Sequence, residues 1–172
     1  MSDLLDQVTS DQDPFTKIAG KIPGFSGYVE RQARRSADKL LRETIGDQFK
    51  ELWKRVGYIQ QDMANQGELT HLDDMEKAAT KLQTFIDKVT NASYGYAGFF
   101  DAKKINEDEL AKLYEFDAAL LDYVDEIGRA IDNVGTSRGT DGMPAALSHL
   151  VNMTRELVSA FEGRGQVLLA VS

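Results

Sequence analysis

Apolar residues recur along this chain at steps of three and four, the spacing that gathers one face of an α-helix. The longest series is Leu41, Ile45, Phe49, Leu52, Val56, Ile59 and Met63; from Ile45 onward it steps 4, 3, 4, 3, 4, a heptad rhythm. Leu40 and Trp53 widen that stripe. A second series runs Leu72, Met75, Ala79, Leu82, Ile86, Val89, and a third Leu110, Leu113, Leu120, Val124, Ile127, Ile131, Val134. One seam position of the third falls near Phe116 and Asp117. A fourth series, Leu147, Leu150, Thr154, Leu157, Phe161 and Leu168, closes the chain. No Val, Ile and Thr-rich run alternates strictly, so no strand is predicted.

Start and stop signals divide these stripes into elements. Asp13-Pro14 opens a short helix that Gly20 and Pro23-Gly24 must end. Ser26 caps a long helix from Gly27 to Asn65, with Gly67 as its stop. Thr70 with Asp73 has the spacing of a capping box, and Gly95 breaks the helix it starts. Asn106 with Glu109 repeats the pattern, and Gly135 closes the third long helix. Asp141 or Gly142 caps the fourth, with Pro144 in its first turn. Gly135-Thr-Ser-Arg-Gly-Thr-Asp-Gly142 is turn chemistry, without the strand and lysine of a phosphate-binding loop. Gly46 and Gly57 each weaken the long helix by roughly 1 kcal/mol relative to Ala, and glycine also lets a neighbouring helix approach closely.

These elements predict an all-α fold, an elongated antiparallel four-helix bundle with a short N-terminal helix. Residues 14–172 form one domain behind a flexible acidic tail at 1–13. At 1.5 Å per residue the first long helix spans roughly 58 Å and the second roughly 36 Å. The first therefore overhangs its neighbour from Tyr28 to Leu41, and the linker 94–105 lies beside the overhang.

Composition removes several chemistries. The 172 residues include no cysteine, which excludes disulfide scaffolds, thiolate metal sites and cysteine nucleophiles. No apolar run approaches the roughly 18 residues of a membrane span, and Met1 to Gln7 holds no basic n-region, so a cytoplasmic protein is expected. Charge changes the picture more. Against an overall −8, residues 14–55 carry ten bases and five acids, while the acids dominate before and after. A basic segment is thus hidden in an acidic chain, a hint of an electrostatic partner.

That segment holds Arg31, Arg34, Arg35, Lys39 and Arg42 at helical spacing. Phe25 and Tyr28 precede it, and Tyr94, Tyr96, Phe99 and Phe100 crowd the linker that an antiparallel bundle brings to the same end. Glycine-flanked aromatics either plug the open end of a bundle or dock a partner there. Aromatic hooks beside a basic stripe are also the parts of an interfacial membrane contact. Nucleic acid is disfavoured, because a net five charges make a weak phosphate footprint and no binding motif is present.

Two other features carry less. Glu68-Leu-Thr-His71 has the E-x-x-H spacing of a di-iron bundle, but His149, the only other histidine, has Ala146 at i−3. A capping or surface role is expected, with no metal and no cofactor. Asp117 shares its helix with Asp122, Asp125 and Glu126, so exposure is expected; if it is buried, it needs a cation such as Arg42 or Lys81.

The segments Lys21-Ile-Pro-Gly-Phe-Ser-Gly-Tyr28, Arg34-Arg-Ser-Ala-Asp-Lys-Leu-Leu-Arg42 and Tyr94-Gly-Tyr-Ala-Gly-Phe-Phe-Asp101 resemble an uncharacterised family of small all-helical bacterial proteins. The resemblance covers most of the chain after about residue 14. It implies a bacterial, cytoplasmic, helical protein and no catalytic residue. The expected function is a non-enzymatic interaction or scaffold role, docking a partner protein or an anionic membrane through the basic-aromatic end. The alternatives are a homo-oligomeric structural bundle and, less favoured, a ferritin-like metal-binding bundle.

Overall fold

The computed structural model describes residues 14–23, 25, 34–91 and 107–170, with side chains placed for 17–23, 25, 40–91 and 115–163. The described residues are helical apart from turns, and they form five α-helices that pack on one another. These are α1 (Pro14–Lys21), α2 (Arg34–Asn65), α3 (Leu72–Asn91), α4 (Glu107–Ser137) and α5 (Met143–Ala170). A single turn of 3₁₀-helix, Leu69–His71, precedes α3, so that helix starts two residues after the expected Thr70 cap.

The heptad series of α2 is the core face of the helix. Leu41, Ile45, Phe49, Leu52, Val56 and Met63 are buried and Ile59 is half-buried. Trp53 leaves the stripe; it is 40% exposed on the outer side. The helix ends as its glycine predicts. Gly67 takes φ +75°, Glu68 N–H donates to Met63 C=O (2.9 Å), and Gly67 N–H donates to Ala64 C=O (3.2 Å). That is a Schellman closure, in which a left-handed residue lets the chain satisfy the last carbonyls.

The predicted third stop is two residues out. Gly135 lies inside α4, which runs on to Ser137, and Gly139 at φ +72° makes the turn. A Gly-containing last turn costs less than an early stop here, because the turn residue that needs positive φ is Gly139.

The helices pack as two hairpins. In the first, α2 and α3 run antiparallel: Gly46 lies against Val89 and Thr90, and Gln60 reaches Glu76 at 3.0 Å. In the second, α4 and α5 run antiparallel, with the Phe116 ring against Gly163. Between hairpins the neighbours run in the same direction. Arg55 on α2 donates to Gly128 C=O on α4 (3.3 Å) and pairs with Asp132, and further along Asp62 pairs with Arg138. Lys88 on α3 pairs with Glu162 on α5 at 2.8 Å, while Phe85 meets Phe161. The antiparallel arrangement expected of every neighbour therefore holds within each hairpin and not between them.

Phe85, outside the predicted stripe of α3, is fully buried at the centre. Its ring lies 4.6 Å from Phe49 and 5.6 Å from Phe161, both edge-on, so one aromatic trio joins α2, α3 and α5. Helix α1 lies on α4, burying Ile18 and Ile22, with Phe25 buried just beyond it. Lys17 and Lys21 pair with Asp122, and Lys21 also with Asp125, at 3.3 to 3.4 Å.

Candidate functional site

The basic-aromatic end is only partly within the described residues. Arg34, Arg35 and Lys39 fall on the first turns of α2, whose backbone is described there. Tyr28 and Arg31, and Tyr94, Tyr96, Phe99 and Phe100 of the linker, lie outside the described residues. Since Gly46 sits level with Val89 and Thr90, α3 ends at Asn91 level with about Ile45. The stretch of α2 before that point projects roughly 16 Å past the described end of α3.

Two of the predicted surface residues are inside the protein. Phe25 is 1% exposed and Arg42 is 6% exposed, so neither offers a surface to a partner. Phe25 is an apolar ring that burial stabilises, and it ends up packed with Ile18 and Ile22 in the core cluster. Arg42 shares the heptad position of Phe49, Val56 and Met63 and is carried inward with them. Asp117, expected to be exposed, is 3% exposed. It shares the seam position of Val124 and Ile131, and helix geometry prevails over the acidity of its neighbours.

At the opposite end a single arginine joins both hairpin turns. Arg138, just past α4, donates from Nε and Nη2 to Glu68 (3.1 and 2.9 Å), donates to the Gln66 side-chain oxygen (3.3 Å), and pairs with Asp62. The hydrogen bond from Arg138 holds the Asp62 carboxyl below the usual carboxylate range. Glu162 is held down in the same way by Lys88. Glu68 of the E-x-x-H pattern is thus an arginine acceptor, and among the described residues no group of three His, Asp or Glu side chains is placed to hold a metal ion. Nothing in the local pattern around Arg138 marks this clasp. Its acceptors are some seventy residues away, and only the shared end brings them together.

One further surface escaped sequence reading. A groove of about 500 Å³ lies between α2 and α3 on their outer side, with Trp53 and the 67%-exposed Tyr58 at its border. Gly57 leaves its floor open, and Gln61, Thr80 and Thr84 line it with amides and hydroxyls. A smaller groove of about 290 Å³ between α3 and α5 is lined by His71, Lys77, Asn152 and Arg155. No helix of the described residues is long and apolar enough to cross a membrane. Comparison of the chain with protein-family models, curated proteins and solved structures finds no match.

Proposed function

We propose that this chain is a non-enzymatic interaction protein of the bacterial cytoplasm, a four-helix bundle strapped by α1, whose basic end docks an anionic surface, either an acidic partner protein or a membrane. The observation that carries the reading is the projection of α2 past the described end of α3, with Arg34, Arg35 and Lys39 on the projecting stretch. Cations concentrated at one end of a chain of net −8 bias both the orientation and the rate of encounter with a negative partner. The burial of Arg42 and Phe25 narrows the contact to Arg31, Arg34, Arg35, Lys39 and the aromatics Tyr28, Tyr94, Tyr96, Phe99 and Phe100.

The test is flotation of the purified protein with anionic and with neutral liposomes at low and at moderate salt. Salt-sensitive flotation with anionic vesicles alone, lost when Arg31, Arg34 and Arg35 are replaced by Glu, identifies lipid as the surface. No flotation with either vesicle removes the membrane and leaves the acidic protein partner.

A second reading, self-association, is favoured by Trp53 and Tyr58, which among the described residues are large apolar side chains left exposed, at the border of one groove. Aromatic side chains in such a position are common anchors of interfaces. Light scattering at high micromolar concentration should then give a mass above 19.1 kDa that falls when Trp53 and Tyr58 are replaced by Ser. A single-chain mass throughout rejects the reading.

A further inference from the structure

Helices α2 and α4 run side by side in one direction, and each puts a charge where its seam otherwise has apolar residues. Arg42 occupies the heptad position of Phe49, Val56 and Met63; Asp117 occupies that of Val124 and Ile131. Among the described residues these two are the charged side chains with less than a tenth of their surface exposed, and both are engaged within the fold. The contacts further up the interface fix how the helices align. Arg55 meets Gly128 and Asp132, and Arg138 meets Asp62. Stepping back thirteen residues along each helix from Arg55 and its partners leads to Arg42 on α2 and to positions 115–119 on α4, with Asp117 in the middle of that window. The two charges therefore stand at one height on facing seams.

We infer that Arg42 and Asp117 form a buried ion pair that sets the register in which the two hairpins dock. The reason is physical. A charge taken out of water needs an opposite charge and hydrogen bonds in its place, and an unpaired one is strongly destabilising. The guanidinium suits the task, since it is always ionised and presents a planar fork to a carboxylate. Sliding α4 along α2 by one heptad would strand Arg42 in either direction: against Leu110, with Asp117 at the level of Phe49, or against Val124, with Asp117 at the level of Arg35. The apolar seams alone repeat every seven residues and tolerate such slips; a single polar pair at one position does not. The strongest competitor for Arg42 is Asp38, one turn back on its own helix.

Urea unfolding of the full chain and three variants decides the matter: Arg42→Met, Asp117→Leu and the two combined. Each single substitution strands one buried charge and should lower the folding equilibrium constant by about a hundredfold or more. The double variant removes both charges and should lose far less than the product of the two single effects. Effects that simply multiply in the double variant, or a neutral Asp117→Leu, would overturn the pairing and point to Asp38. Should a single variant fail to fold, the double still answers: a cooperative, folded double supports the pair, and a double as unfolded as the singles overturns it.

Discussion

Arg138 reaches Asp62, Gln66 and Glu68, all across the fold, and it does so from a turn. Its side chain is only 18% exposed, so the charge-assisted bonds to Asp62 and Glu68 are less screened than ordinary surface pairs. Replacing Arg138 by Ala should lower stability by about 1 kcal/mol near neutral pH, read from urea midpoints. The pH dependence has a definite sign. Asp62 has its carboxyl pKa depressed in the folded protein, so its contribution is present above the ordinary carboxylate range of about 4 and is lost as pH falls through the lower folded value. Thermal melts of the natural chain and the Arg138→Ala variant should therefore draw together as the pH falls below about 4. A gap that stays constant over that range would assign the loss to packing instead.

At the scale of the helix, glycines that look alike in sequence play different parts. A Cβ at Gly57 would meet nothing within 4 Å, whereas at Gly163 it would come within 3.3 Å of the Phe116 ring. Gly57→Ala should gain about 0.5–1 kcal/mol by relieving a helix-interior glycine, and Gly163→Ala should fall short of that or lose stability. Equal gains at both positions would remove the packing role of Gly163. The same contrast explains what was legible beforehand. Spacing along one helix located the seam of α2 and the stripe of α5 from Leu147 to Phe161, because burial of one face dictates both; Leu168 lies outside the described side chains. It misplaced Trp53, which belongs to the outer side, and omitted Phe85. A helix that packs on two neighbours, as α3 packs on α2 and α5, buries a stripe wider than one heptad seam, and Phe85 fills the added width. Asp117 was misjudged by its acidic company, although its seam position already pointed inward.

For the whole molecule, helix count and helical class follow from periodicity, whereas the way the hairpins stand together does not. The Arg55–Gly128, Arg138–Asp62 and Lys88–Glu162 contacts that make α2 run with α4, and α3 with α5, join residues more than seventy positions apart. Local patterns carry no record of such pairs. The candidate site was legible to a similar extent. Its basic residues could be read off as a helical stripe, but the burial of Arg42 and Phe25 depends on what packs over them.

The paired hairpins also have a consequence for how the chain comes to its final form. Each closes over a short loop, residues 66–71 in one and 138–142 in the other, so the entropy of closure is small and each is a fast, local event. Their union is a separate and later one, in which Phe161 reaches Phe85 and Arg138 reaches Glu68. A transition state that precedes this union would lack its contacts, and losing them should then shorten the life of the native protein without slowing its formation. In stopped-flow experiments Arg138→Ala should steepen neither arm of the chevron, raise the unfolding rate several-fold and leave the refolding rate almost unchanged. During synthesis the first hairpin would leave the ribosome with half of its inner face still waiting for a partner that has not yet been made.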